Sequence, residues 1–238
     1  MSIYWGETRG GMSKRSPQHQ KQTFKLDRFL FLLVALTIYI GIAPFIREYI
    51  KLHLFLTIAF SAILISVVYA ISHTKQQAIL VTLVIVPMLV LNWLLFWIKI
   101  PAVFTATHLS DILFLVFTIA MILRFIIKAD HVTRDVLFAA VVVYLLIGVT
   151  WSLIYALLEH QVPGSFDFLK EQIQDSGYAF IYYSFVTLTT LGYGDVTPLT
   201  SQAGALVILE ALIGQLYLAV MLARLVGLHI AYANLTKR

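Results

Sequence analysis

Between Thr187 and Pro198 the chain reads TLTTLGYGDVTP. Gly192 and Gly194 can adopt positive φ, a backbone region that residues bearing a Cβ avoid. In a strand successive carbonyls alternate in direction, and positive φ lets them point the same way instead. An extended Thr190-Leu191-Gly192-Tyr193-Gly194 then presents a stack of backbone oxygens, with the carboxyl of Asp195 just beyond it. Other chemistries lack their residues. No paired carboxylates, nucleophile or metal-ligand cluster stands out. His73, His131 and His229 are scattered without ligand spacing, and without cysteine there is neither a disulfide framework nor a thiolate metal site.

A stack of oxygens needs particular surroundings, and the composition supplies them. Of 238 residues 60% are apolar and 12% charged, and the mean hydropathy is +0.88, far outside the range of a soluble domain. The sequence is that of an integral membrane protein. Six apolar segments, 29–46, 53–72, 78–98, 111–127, 135–158 and 203–230, reach the about 17 to 25 residues that a bilayer core requires. The first follows a basic, polar N-terminus with no small-residue cleavage pattern and reads as a retained anchor. Between the fifth and sixth lies GYAFIYYSFVTLTTLGYGD, whose apolar part, 178–189, spans about 18 Å as a helix, enough to enter the membrane and too little to cross it. It must turn back. Non-helical backbone at membrane depth is tolerated where it is buried in protein or lines a watery cavity, because unpaired peptide groups in lipid cost several kcal/mol each.

Orientation follows from Lys and Arg. With the N-terminus cytoplasmic, the inner segments hold 13 of them (Arg9, Lys14, Arg15, Lys21, Lys25, Arg28, Lys75, Arg124, Lys128, Arg134, Arg224, Lys237 and Arg238), against 4 outside (Arg47, Lys51, Lys99 and Lys170). This positive-inside bias places both termini in the cytoplasm and the stretch bearing Glu159, Asp167, Glu171 and Asp175 outside. The net charge of +5 reflects topology and anionic lipid headgroups, not a nucleic-acid partner. Residues 1–26 are polar and read as a disordered cytoplasmic tail. Residues 27–130 form a peripheral four-helix unit, and 131–238 a second unit, divided near KADHVTRD, where Thr133 can cap a helix.

Over residues 135–230 the sequence resembles the tetrameric potassium channel family, and TTLGYGD is similar to that family's selectivity filter. The resemblance implies an outer helix, a short pore helix, a filter and an inner helix. It implies that K+ is held by the carbonyls of Thr190, Leu191, Gly192 and Tyr193 and by the Thr190 hydroxyl, which replace the hydration shell. Tyr193 would turn its ring away from the ions as a strut against the pore helix, and Asp195 would add negative potential at the outer mouth. Pore-helix support falls to Tyr182, Tyr183, Ser184, Thr187 and Thr189. Three departures stand out: Leu191 where Val or Ile is commoner, Tyr182 and Tyr183 where many members have Trp, and Val186 where some carry an acid that partners the aspartate after the filter. The last puts inactivation governed by such a pair in doubt.

In the last span Gly214 lies where the family often places a hinge, although a glycine there also permits close helix packing. Gln215, Leu218 and Leu222 share a helical face and are candidates to line a cavity. Glu210 is an acid well inside an apolar span and is expected to face protein or water rather than lipid, bonded to Ser184 or Thr187, with a direct ion- or proton-sensing role as the alternative. Arg224 is expected to snorkel toward the interface, and Asn92 to join helices.

The fold expected is an all-α membrane protein of six transmembrane helices, with a re-entrant pore helix and filter loop between the fifth and sixth. The function expected is passive conduction of K+ through a homotetramer in the plasma membrane (the inner membrane if bacterial), with K+ as permeant ion, no cofactor and no enzymatic activity. Each chain supplies one carbonyl per ring and an ion stripped of water needs several. The alternatives are a non-selective cation channel of the same architecture, or a membrane receptor or enzyme without conduction. Voltage dependence should be weak at most, because SDILFLVFTIAMILRFIIK carries only Arg124 and Lys128, both in its last turns.

Overall fold

The structure, a computed structural model, describes residues 28–41, 45, 52–71, 75–97, 100–169 and 178–236. The tail 1–26, the ends of the first three expected spans, and Arg47, Lys51, His73, Lys99, Lys170, Glu171 and Asp175 lie outside the described residues. The elements are α1 (Arg28–Gly41), α2 (Leu52–Ile71), α3 (Lys75–Trp97), α4 (Pro101–Ile127), α5 (Arg134–Gln161), β1 (Phe166–Phe168), α6 (Ala179–Leu188), β2 (Val196–Pro198) and α7 (Ser201–Thr236).

Three of the described helices, α4, α5 and α7, are long and apolar enough to cross a membrane. The expected fourth span began at residue 111, but α4 starts ten residues earlier, at Pro101. Proline at the first helical position loses no helix bond and presets φ, and the preceding Ile100 is extended. The polar residues Thr105, Thr107 and His108 hide this first stretch from a hydropathy reading. Thr133 caps α5 as expected, its hydroxyl accepting from the Val136 N–H at 3.2 Å, with Asp135 in the first turn favouring the positive end of the helix.

α5 is the axis of the molecule and packs against α1, α4, α6 and α7. Its side chains Val142, Val143, Leu146, Val149 and Tyr155 are fully buried. In their best apolar windows 61% of α5 is buried but only 17% of α7, so α7 offers most of its apolar surface to something outside this chain. β1 and β2 pair antiparallel, with Asp167 opposite Thr197. The ladder continues through Leu169 N–H to Asp195 O at 3.1 Å and Leu199 N–H to Ser165 O at 2.8 Å. The carboxylate of Glu159 fixes the turn into β1 by accepting from the Gly164 and Phe166 N–H groups at 2.8 and 3.2 Å. The connection after α5 is thereby tied to the segment that follows the glycines.

Candidate functional site

The ten-residue helix α6 is seated between two glycines. A Cβ at Gly148 of α5 would lie 2.6 Å from the Phe185 ring, and one at Gly214 of α7 would lie 2.8 Å from both the Leu188 side chain and its carbonyl oxygen. Glycine at both places lets the long helices close on α6 from two sides. α7 runs unbroken through Gly214. At Gly214 the structure shows close packing against Leu188.

Polar contacts pin the same helix. Ser184 Oγ sits 2.7 Å from Gly148 O and 2.5 Å from the carboxyl of Glu210, and the Tyr155 hydroxyl donates to the other Glu210 oxygen. Of the two partners expected for Glu210, Ser184 meets it, and no such bond forms from Thr187. The Tyr144 hydroxyl reaches Leu188 O at 3.3 Å, and that of Tyr217 donates to Ala140 O at 2.6 Å. Tyr183 is buried against Tyr155 and Phe166, with ring centroids 5.3 and 5.5 Å away. At the start of α6 the Tyr178 hydroxyl donates to Ile40 O at 2.7 Å, joining it to α1.

Beyond Leu188 the backbone changes character. The Thr189 and Thr190 N–H groups donate to Phe185 O at 3.1 Å and Thr187 O at 2.9 Å, and those of Leu191 and Gly192 both turn to Val186 O at 3.0 and 3.3 Å. With these donors facing the helix, no described group donates to the carbonyls of Thr190, Leu191, Gly192 or Tyr193. Positive φ occurs at Gly192 (54°) and Gly194 (74°), as expected, and also at Thr190 (61°). A β-branched residue in that region costs on the order of 1–3 kcal/mol and persists only where its surroundings impose it. A Cβ at Gly192 or Gly194 would meet nothing within 4 Å, so backbone conformation, not space, requires glycine at both.

The Tyr182 hydroxyl donates to Asp195 at 2.6 Å. The aspartate thus has a partner although Val186 cannot provide one. Tyr193 is 66% exposed and makes no ring contact among the described residues of one chain. Leu191 is exposed beside it. Gln215, Leu218 and Leu222 of α7 are exposed, as are Leu212, Ile213, Leu216 and Val220 around them.

Two further residues go beyond the sequence reading. The guanidinium of Arg224 donates to the carbonyls of Ile126, at 3.1 Å, and Ile127, capping the C-terminus of α4. Asn92 does join helices, its amide donating to both oxygens of Asp111 at 3.0 and 3.2 Å. Asp111, a buried acid in α4, went unremarked in the sequence, as did Gly148, Tyr144 and Tyr155.

Residues 131–229 match the ion channel family model.

That stretch begins before α5 and ends within α7, so it takes in the short helix, the glycine loop and the carboxyl cluster. No curated protein and no solved structure matches the chain. The protein is a mostly helical membrane protein in which residues 131–229 are similar to the ion channel family, a likeness that supports ion conduction in general.

Proposed function

We propose that the protein is a potassium-selective channel formed by four copies of this chain around a common pore. The observation that carries the proposal is the run of carbonyls at Thr190, Leu191, Gly192 and Tyr193, none of which accepts a bond from a described group, while the N–H groups of Thr190, Leu191 and Gly192 are spent on α6. Backbone oxygens left free at membrane depth are affordable where they line a cavity, and they replace the water around an ion only as a ring drawn from several chains. The exposure of Leu191, Tyr193 and most of α7 fits the same assembly: in a tetramer Tyr193 meets a neighbouring copy.

In this reading α6 is the pore helix, entering the bilayer and turning back between α5 and α7, and the chain crosses the membrane six times with both termini cytoplasmic, in the plasma membrane. Thr190, Leu191, Gly192 and Tyr193 bind K+, with the Thr190 hydroxyl at the inner end. Asp195, held by Tyr182, supplies negative potential at the outer mouth. The C-terminal end of α6 directs its partial negative charge toward the cavity that Gln215, Leu218 and Leu222 line. Lipid surrounds the four-helix unit, and no cofactor is required.

Native mass of the protein in mild detergent, with K+ and Na+ flux from liposomes, tests the proposal. A tetramer that passes K+ and excludes Na+ is expected. A monomer or dimer, or equal fluxes of the two ions, would reject it, equal fluxes favouring a non-selective channel of the same build.

A further inference from the structure

The contacts around Glu210 contain a hydrogen that the two neighbouring hydroxyls do not provide. Three oxygen-to-oxygen contacts run in series: Gly148 O to Ser184 Oγ at 2.7 Å, Ser184 Oγ to one Glu210 oxygen at 2.5 Å, and the other Glu210 oxygen to the Tyr155 hydroxyl. A backbone carbonyl only accepts, and each hydroxyl carries a single hydrogen. With an ionised carboxylate, two hydrogens would have to serve three contacts, and one pair of oxygens would face each other with none between them. A hydrogen on the carboxyl completes the series. Tyr155 then donates to Glu210, Glu210 donates to Ser184, and Ser184 donates to Gly148.

The surroundings agree. Glu210, Ser184 and Tyr155 are each fully buried. The titratable groups that face Glu210 are the phenols of Tyr144 and Tyr155 on α5 and of Tyr183 on α6, and no described cation pairs with it. An ionised carboxyl without a cation is the costliest group to bury, whereas a neutral acid with both oxygens bonded is tolerated.

The same series crosses three helices. It joins Gly148 and Tyr155 of α5, Ser184 of α6 and Glu210 of α7. Ser184 lies two residues before Val186, whose carbonyl receives the N–H groups of Leu191 and Gly192. We propose that Glu210 is a neutral carboxylic acid and the positioning residue that sets the depth of α6, and through Val186 the registration of the carbonyls at Leu191 and Gly192. Its functional half rests on the filter reading above. A glutamine can reproduce the neutral acid: its carbonyl accepts from Tyr155 and its amide donates to Ser184. An alanine leaves the Tyr155 hydroxyl without a partner and lets α6 settle.

Two measurements test this on the full-length assembled protein. Infrared difference spectroscopy between wild type and Glu210→Gln is expected to show one protonated-carboxyl C=O stretch that the variant lacks; a carboxylate band in its place would overturn the neutral acid. Reversal potentials under K+ and Na+ are expected to show wild-type selectivity rescued in Glu210→Gln. In Glu210→Ala the K+ to Na+ permeability ratio should fall about tenfold, the scale of one lost hydrogen bond. Unchanged selectivity in assembled Glu210→Ala would overturn the positioning role. Should that variant fail to assemble, Tyr155→Phe and Ser184→Ala, which each remove a hydroxyl and keep the packing, carry the same expected fall and the same refutation. The infrared readout is independent of conduction, so a failure there is distinguishable from a failure of the filter reading, which would show as a non-selective wild type.

Discussion

Gly194→Ala isolates the backbone conformation of the carbonyl row from every other contribution. The glycine holds φ at +74°, and a Cβ built on it meets no atom within 4 Å. The substitution therefore adds no clash within the chain, and its cost is conformational: about 1–2 kcal/mol for an L-residue held left-handed. In the proposed tetramer four copies in one ring would raise this to about 4–8 kcal/mol, enough to make relaxation the cheaper course. Relaxation toward negative φ rotates the Tyr193–Gly194 peptide plane and withdraws the Tyr193 carbonyl from its ring. Native mass should show the tetramer retained, since most burial lies in the helices, while reversal potentials and flux should show selective K+ conduction lost. Gly204→Ala is the control. That residue sits in the first turn of α7 with nothing within 4 Å of its Cβ and no positive φ, so alanine there should leave conduction unchanged and add about 0.5–1 kcal/mol of helix stability. Wild-type selectivity in Gly194→Ala would refute the reasoning.

Gly214→Ala should behave in the opposite manner, because its Cβ would press on the Leu188 carbonyl oxygen and side chain at 2.8 Å; thermal unfolding of the assembled protein should fall by about 1–3 kcal/mol, and an unchanged transition would contradict close packing there. Tyr182→Phe removes the hydroxyl that donates to Asp195 at 2.6 Å, a bond to a charged group worth about 1.5–3 kcal/mol, so current should decay faster during sustained opening, and an unaltered decay would show that this bond does not steady the outer mouth. Voltage should open the channel weakly at most: Arg124 and Lys128 stand at the last turns of α4, the buried ionisable group of that helix is an acid, Asp111, and one charge crossing the whole field gains only about 2.3 kcal/mol per 100 mV. A conductance–voltage curve in symmetrical K+ that is steep enough to need several charges per subunit would contradict this.

The parts legible in the sequence are those with a local signature. The glycine loop, the half-length helix before it and the Thr133 cap each follow from spacing or residue type within a few positions, and the structure contains all three. Glu210 could be marked as costly, and Ser184 named as its partner, because both belong to the segments flanking the loop. Tyr155 could not, since it lies 55 residues away and its meeting with Glu210 is a product of three-helix packing. The same holds for Gly148, which reads as an ordinary glycine in an apolar helix until the Phe185 ring is found against it. The partners of Arg224 are equally illegible, because they are backbone carbonyls at the end of α4, which carry no residue-type signal. The positive φ at Thr190 was hidden for a related reason: residue type argues against it, and the bonds to α6 impose it.

The central claim is that the carbonyls of Thr190, Leu191, Gly192 and Tyr193 from four chains form a pore that replaces the hydration of K+. Single-channel recording of the purified protein in a bilayer, with K+ on one side and Na+ on the other, tests it most directly. The account predicts unitary currents carried from the K+ side and a reversal potential displaced far toward K+ selectivity. A reversal potential near zero, with Na+ carrying current as readily as K+, would contradict it.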